Sequence, residues 1–173
     1  MNFYFLPSFS GDPRYNYQAP IIDDMHQDAL QSRFNQTFNP KNQLYGGFAF
    51  QSTRTATPNL FGFLDTTDAL GINSSINWSH RLSQRLYLNL GYRFSRLATR
   101  TTPYCEDRAN VSGEAGIPGY NQDPSNWGPP SLTFSSGLAG LSDAQSSHDR
   151  NQTDAGSYCL LWSRERHNIT LGG

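Results

Sequence analysis

The feature that most constrains this chain is a strict alternation of apolar and polar residues in INWSHRLSQRLYLNLGYRF, residues 76–94. The odd-numbered positions carry Asn, Ser, Arg, Gly and Tyr. Most even-numbered positions on both sides of the central SQR are apolar: Ile76, Trp78, Leu82, Leu86, Leu88, Leu90, Tyr92 and Phe94. Because successive side chains of a strand point to opposite faces, the stretch predicts strands with one apolar and one polar face.

The apolar positions keep the same parity across the break, and this restricts how the two strands can pair. Directly opposed residues of an antiparallel hairpin share a face of the sheet. Pairing Leu82 with Leu86 satisfies this rule and leaves 83–85 as a three-residue loop. A two-residue loop would place Leu82 opposite Arg85 and turn one apolar face over. We therefore predict a hairpin over 69–97 with a three-residue turn.

A second hairpin is predicted over 29–52, where the large apolar residues again fall mainly on even numbers. A Pro-Lys-Asn sequence separates its two halves and is typical of a turn. Pairing Phe34 with Phe48 keeps both aromatic rings on one face. This pairing predicts a five-residue loop at 39–43.

A third hairpin is predicted over 153–173, but here the apolar positions change from even to odd numbers. This change of parity requires a loop with an even number of residues. We expect Trp162 opposite His167, with 163–166 as the loop. Glu165 lies at the tip of this loop, where hairpin turns favour Gly or Asn.

The connections between hairpins are much longer than the turns within them. They cover about 53–68 and 98–153, and the second is rich in Gly, Pro, Asn and Ser. Short turns on one side of a sheet and long loops on the other are typical of outer-membrane β-barrels. The predicted fold class is therefore all-β: antiparallel hairpins that form part of a transmembrane β-barrel, with about six strands, open in this chain, and long extracellular loops.

In a barrel, the two faces of each strand meet different surroundings. The apolar face is predicted to contact outer-membrane lipid through Phe48, Phe50, Trp78, Leu88, Leu90, Tyr92, Phe94 and Trp162. The polar face is predicted to line the lumen, with Asn77, Asn89 and Arg93 among its residues. The alternative is a soluble β-sandwich, in which the same alternation points into a core between two sheets. That alternative implies a secreted or surface domain for binding or adhesion, without transport.

Composition excludes several other classes of protein. The chain is 36% hydrophobic and 13% aromatic but only 16% charged, which is unlike a disordered chain. Its net charge of −1 gives no reason to expect nucleic acid as a partner. No apolar run is long enough for a membrane helix, and the first residues do not have the pattern of a signal peptide. Cys105 and Cys159 lack metal or redox spacing. They could form a disulfide in an oxidising compartment, but isolated cysteines are more often free thiols.

The sequence contains little that indicates catalysis. One cluster, IIDDMHQD, has ligand-type spacing in Asp23, Asp24, His26 and Asp28, but no glycine turn or second ligand set accompanies it. A solvated acidic segment is the simpler interpretation, and we expect no metal or other cofactor. No nucleophile elbow, P-loop or dinucleotide fingerprint is present. We therefore do not expect an enzyme.

Several stretches resemble a known family: NQLYGGFAFQSTRTATPNLFGFLDTTDALGINSSINWSH, RANVSGEAG, NWGPPSLTFSSGLAGLSDAQ and SRERHNITLGG. They resemble the barrel of large TonB-dependent receptor-like proteins of the bacterial outer membrane, of the type with a carboxypeptidase-regulatory-like domain. The resemblance implies a barrel of about 22 strands with a plug. It also implies uptake of a bulky nutrient, with the TonB system as partner through that plug. We expect the chain to be a partial barrel domain over 1–173, without the plug and signal peptide.

The long second loop is where a nutrient would meet such a receptor. Tyr120, Asn121 and Trp127 offer aromatic surface and an amide group, which suit a glycan or a peptide. The alternative is that these side chains only pack within the loop. We therefore treat the three residues as ligand-loop candidates.

Overall fold

The structure of the protein, a computed structural model, describes residues 5–8, 10, 16–117, 119, 121–135 and 138–173. Its strands are β1 (Asp24–Asn39), β2 (Asn42–Pro58), β3 (Leu64–Ser83), β4 (Leu86–Thr102), β5 (Ser147–Arg164) and β6 (His167–Gly172). A one-turn helix, α1 (Val111–Glu114), and a 3-10 helix at Pro124–Asn126 lie between β4 and β5. Within these described ranges, no helix is both long enough and apolar enough to cross a membrane.

The six strands form one open antiparallel sheet in the order β1-β2-β3-β4-β5-β6, as the predicted all-β class requires. Each strand bonds to the next strand in the chain, so the sheet is a simple up-and-down meander. Two-residue breaks at 40–41, 84–85 and 165–166 separate the strands of each hairpin. The connections at 59–63 and 103–146 lie at the opposite end of the sheet. Short turns thus alternate with longer connections, as predicted.

The pairing predicted for β3 and β4 agrees with two side-chain contacts and one close approach between these strands, although the break between them is 84–85 and not the predicted 83–85. The Ser79 hydroxyl donates to Asn89 Oδ1 at 2.6 Å. The Arg81 guanidinium lies 5.4 Å from the centre of the Tyr87 ring. Each pair of residue numbers sums to 168, which is also the sum for Leu82 and Leu86. A Cβ built at Gly91 would come within 2.8 Å of Asn77 Oδ1, and these numbers have the same sum.

The turn predicted for the first hairpin is wrong. The strands extend to Asn39 and restart at Asn42, so 39–43 is not a five-residue loop. The cause lies in Asn39, whose Oδ1 accepts hydrogen bonds from the Lys41 backbone N–H and from Asn42 Nδ2, both at 2.9 Å. Asn side chains tighten turns in this way because they replace a backbone acceptor.

The tighter turn also shifts the pairing of the aromatic residues in this hairpin. The Phe34 ring lies over Gly46 instead of directly opposite Phe48. A Cβ built at Gly46 would come within 2.7 Å of the Phe34 ring and within 2.5 Å of the Ser75 carbonyl oxygen. Only glycine fits such an approach, and an aromatic ring that covers a strand glycine is a known device for stabilising pairing.

The third hairpin has the predicted even loop but a different register. Trp162 pairs with Ile169, and Arg164 pairs with His167, so the loop contains two residues instead of four. The predicted pairing of Trp162 with His167 is therefore wrong. Hydrophobic parity cannot distinguish registers that differ by two residues, because both keep the same side chains on the same face. Glu165 adopts φ +50°, a left-handed conformation that hairpin turns of this length require.

The strands extend beyond the predicted hairpin limits of 29–52, 69–97 and 153–173. In particular, 53–68 is not a loop, because β2 continues to Pro58 and β3 starts at Leu64. Arg54 Nε donates to Asp68 Oδ1 at 2.8 Å in this extension. Polar residues can pair as strands wherever both faces are solvated, and the apolar alternation that we used does not detect them.

The predicted loop 98–153 is also shorter, at 103–146, and it is not structureless. Chain contacts divide the protein into two compact units, and we call 1–26, 53–68 and 99–148 the loop unit. Every buried residue in the described part of the chain lies in this unit: Phe63, Pro103, Cys105, Glu106, Ser112, Gly128, Pro129 and Leu141. The loop segments therefore form a small core of their own.

The other compact unit comprises 27–52, 69–98 and 149–173, and we call it the sheet unit. None of its described residues is buried. Phe34, Phe48 and Leu90 are 48%, 41% and 40% exposed, although a β-sandwich would bury all three between two sheets. The described residues form a single sheet and show no such core. The sandwich alternative is therefore contradicted.

Replacing Glu165 with Gly is expected to stabilise the third hairpin. A left-handed conformation costs an L-residue about 1–2 kcal/mol, and the greater freedom of glycine in the unfolded chain offsets part of the gain. We expect the free energy of unfolding to rise by about 1 kcal/mol in a denaturant titration in detergent. Arg166→Gly is the matched control and should destabilise, because only Glu165 of this turn has positive φ. Equal effects of the two variants would contradict the proposed strain.

Candidate functional site

The predicted lumen face of the sheet is a polar surface with a floor of small residues. Arg33, Gly47, Asn73, Ser75 and Arg93 belong to the lining of a cleft of about 390 Å³ in the sheet unit. All five have odd numbers, so they project to the face that carries Asn77 and Asn89. The structure thus brings arginines together with hydroxyl and amide groups over short side chains. Contact of this face with a lumen stays a prediction.

Further along this face, the chain approaches itself closely at Gly91. A Cβ at this position would lie 2.6 Å from Ser157 Oγ and 2.8 Å from Asn77 Oδ1. Because Gly91 has no side chain, Asn77 of β3 and Ser157 of β5 can both approach β4 at this point. A second cleft of about 230 Å³ lies here, lined in part by Arg93 and Ala155.

The even-numbered face carries the residues predicted to contact lipid. Leu90, Tyr92 and Trp162 are 40%, 48% and 37% exposed, and Phe50, Trp78, Leu88 and Phe94 are half-buried. The Trp78 ring stacks on the His80 ring with a centroid distance of 5.2 Å. His80 Nδ1 in turn contacts Asn42 Oδ1. Aromatic residues with a polar partner near a strand end are typical of the girdles at a membrane interface.

The even face is not apolar along its full length. The Tyr92 hydroxyl donates to Asp154 Oδ1 at 2.6 Å, and Gln152 Nε2 donates to Asp154 Oδ2 at 3.0 Å. Hydrogen-bonded side chains of this kind suit an interface better than mid-bilayer lipid. Tyr92 thus has a polar partner at its hydroxyl although its ring lies on the apolar face. Sequence reasoning did not identify this partner, because Asp154 is 62 residues away in the chain.

Hydrogen bonds between backbone groups and from side chains to the backbone hold the loop unit together. Ser112 is fully buried, and its hydroxyl donates to the Gly128 carbonyl oxygen at 2.7 Å. Asn59 Oδ1 accepts from the backbone N–H groups of Phe61 and Phe63, at 2.9 and 3.1 Å. The Phe63 ring stacks on Tyr104 with centroids 5.6 Å apart. The Ser112 bond positions Gly128, two residues after the 3-10 helix.

A cleft of about 240 Å³ lies in the loop unit beside Trp127, and we call it the Trp127 cleft. It is lined by Pro103, Ser125, Asn126, Trp127, Gly128, Pro129, Ser131, Asp143, Ala144, Gln145 and Ser146. Trp127 follows the 3-10 helix directly, and its Nε1 donates to the Gln122 carbonyl oxygen at 3.0 Å. This bond fixes the indole ring and leaves its faces for contact.

The family of the chain is shown by comparison with known proteins. A family model described as an outer membrane beta barrel domain matches residues 1–173, the whole chain. The chain belongs to this family. No curated protein and no solved structure matches it. The open six-stranded sheet is therefore a segment of an outer-membrane β-barrel domain, and its location is the outer membrane.

Two of the ligand-loop candidates lie in the described part of this barrel domain, and Tyr120 lies outside the described residues. Trp127 lines the cleft named after it. Asn121 is exposed, and its Oδ1 accepts from the Asp123 backbone N–H at 3.0 Å, so it shapes the turn before the 3-10 helix. Sequence reasoning missed Asp143, Gln145 and the nearby serines, because no motif identifies them.

The weak metal candidates of the barrel domain do not converge on a site. Asp24, His26 and Asp28 lie in β1, where alternate residues are about 7 Å apart, and Asp23 precedes the strand. No group of three or more potential metal ligands occurs among the residues that the structure describes. Cys105 and Cys159 are both free thiols.

Asp143 is the most perturbed carboxyl group of the loop unit. Burial, followed by hydrogen bonding and charge repulsion from Asp65, raises its pKa to about 6. Its Oδ1 accepts from the Ala144 backbone N–H at 3.0 Å, and its Oδ2 accepts from the Cys105 backbone N–H at 3.4 Å. Burial and the neighbouring Asp143 raise the pKa of the Cys105 thiol to about 12. The thiol therefore stays protonated at neutral pH.

The raised pKa of Asp143 predicts that the loop unit is more stable in mild acid. The folded state binds its proton more tightly than the unfolded state, so this contribution is complete below pH 4 and is lost as the pH rises through about 6. Hydrogen exchange at the Cys105 and Ala144 amides, corrected for intrinsic rates, should therefore become faster across this range. Asp143→Asn should remove the dependence, whereas exposed Asp123→Asn should keep it. Unchanged pH dependence in Asp143→Asn would contradict this assignment.

Proposed function

We propose that the chain forms part of a TonB-dependent receptor in the bacterial outer membrane that takes up a bulky nutrient. The observation that carries this proposal is the distribution of burial. The sheet unit exposes an apolar face and a polar face, whereas the loop unit has its own core and a polar cleft. A barrel that serves only as a membrane anchor has no need for a loop segment folded around a cleft.

The partners follow from the two faces and from the loops. Outer-membrane lipid would cover the even face, where Leu90 and Trp162 are exposed. The small-residue floor of the odd face would leave room in the lumen for a plug, through which the TonB system would act. The resemblance to TonB-dependent receptors supports this part of the proposal. The nutrient would be captured by the loop unit.

We propose no catalytic role for the chain. The carboxyl group of Asp143 is engaged by two backbone N–H groups. The Cys105 thiol is buried, and its pKa of about 12 keeps it from acting as a nucleophile. The carboxyl group of Asp143 and the Cys105 thiol thus contribute to holding the loop unit together.

The lipid contact is tested by placing a charge on each face of β4. Leu90→Arg should lower the free energy of unfolding by about 2–4 kcal/mol if Leu90 lies near the bilayer centre. Asn89→Arg, one residue away on the polar face, is the matched control and should cost much less. The measurement is a denaturant titration of the protein refolded into lipid vesicles. Similar losses in the two variants would contradict lipid contact at the even face.

Energised uptake is tested in cells that express the complete receptor, including its plug, with and without a functional TonB. Medium components are followed by mass spectrometry, so that no ligand has to be assumed. We expect one or more components to be depleted only in cells that have both the protein and TonB. Binding at the cell surface without TonB-dependent depletion would favour adhesion and overturn the transport proposal.

A further inference from the structure

The Trp127 cleft combines an aromatic wall with polar groups that have no partner within the described chain. Trp127 offers only its ring faces, because its Nε1–H is bonded to the Gln122 carbonyl oxygen. Gly128 and Pro129 are buried beside it and form a rigid part of the wall. A flat apolar surface next to fixed backbone suits a ring-shaped ligand that has one apolar face.

Apart from Asp143, the serine, Asn126 and Gln145 side chains that line the cleft can both donate and accept hydrogen bonds. The side chains of Ser131, Gln145 and Ser146 make no hydrogen bond to other residues that the structure describes. Hydroxyl and amide groups of this kind pair with ligand hydroxyls, which are also both donors and acceptors. The three side chains are exposed, so a ligand rich in hydroxyl groups would replace water at them.

Charge narrows the choice of ligand further. The lining contains no Lys, Arg or His, so it offers no cation to a phosphate or carboxylate ligand. Its one ionisable group is Asp143, which would repel an anion. An extended peptide finds no free strand edge at the neighbouring β-bridge, because Leu132 and Leu141 already bond to each other through both backbone groups, at 2.8 and 3.0 Å.

We propose that the Trp127 cleft binds an uncharged sugar ring, stacked on Trp127 and hydrogen-bonded by Gln145 and the nearby serines. The cleft volume of about 240 Å³ is below the usual range for drug-sized ligands, so one ring of a longer saccharide would enter it. This inference names the ligand class for the receptor proposed above and rests on that function only for its biological purpose. Sugar binding itself does not require transport.

The test is calorimetric titration of the protein in detergent with four kinds of probe. Maltotriose and cellotriose represent neutral sugars, trigalacturonate a charged sugar, and trialanine a peptide. Purified lipopolysaccharide with a neutral polysaccharide chain distinguishes a membrane glycolipid from a free nutrient as the source of the ring. We expect saturable binding of a neutral probe, with trigalacturonate and trialanine at least about tenfold weaker.

Variants link the binding to the cleft. Trp127→Ala and Gln145→Ala should each weaken binding about tenfold or more, whereas Trp127→Phe should restore most of the affinity lost in Trp127→Ala. Gln84→Ala, at the turn between β3 and β4, is the matched control and should bind normally. Circular dichroism and heat-modifiable gel mobility verify that each variant is folded.

Three results would overturn the inference: no saturable binding of any neutral probe, tighter binding of trialanine or trigalacturonate, or full affinity in both cleft variants. Loss of TonB-dependent uptake with normal sugar binding would instead overturn only the transport function. Uptake of a component that is not a saccharide, without sugar binding, would overturn only this inference.

Discussion

The structure depends on one interaction, the ladder of backbone hydrogen bonds between neighbouring strands. In hydrocarbon, a backbone N–H or C=O group without a partner costs several kcal/mol, so every spanning segment must bond to its neighbours. The meander β1 to β6 meets this requirement for its interior strands with the shortest connections available. Once the ladder is formed, each strand has two faces that need not be buried by protein. This explains how a sheet with no buried side chain in its described residues can still be part of a folded barrel.

The same ladder determines how much of the fold can be read from the sequence. Whether an apolar residue has an odd or an even number predicts which residues share a face. This rule was enough to predict the pairing of β3 with β4, where the Ser79 hydroxyl donates to Asn89 Oδ1. Parity does not distinguish registers that differ by two residues, so Phe34 and Trp162 were paired with the wrong partners. The deciding groups are polar: Asn39 shortens one turn through its side-chain carbonyl, and Glu165 accepts a left-handed conformation. Hydrophobic patterns carry no information about either group.

The candidate site could be predicted only in part, for a related physical reason. Trp127 was identified because a large aromatic residue in a long polar loop requires an explanation. Asp143 and Gln145 were not, since their role depends on contacts between segments that are distant in the chain. Asn59, for example, donates from its Nδ2 to the Ser142 carbonyl oxygen at 3.4 Å, across 83 residues. Contacts of this range follow from the strand ladder, which brings the end of β2, the start of β3 and the end of β4 to the same end of the sheet, and no local pattern predicts them.

The loop unit is ordered differently from the strands, because most of its segments do not belong to the sheet. Its segments meet water, so they must order their backbone with a small number of buried groups, among them Phe63, Cys105 and Leu141. Hydrogen bonds to the backbone supply much of the remaining order, as at Ser112 and Asn110, whose Oδ1 accepts from the Gly113 N–H at 2.9 Å. Because these bonds use the backbone as partner, they leave other polar side chains free for solvent or a ligand. The exposed polar side chains of the Trp127 cleft are thus a consequence of how the loop is held, and the proposed hydroxyl-rich ligand has groups that pair with them.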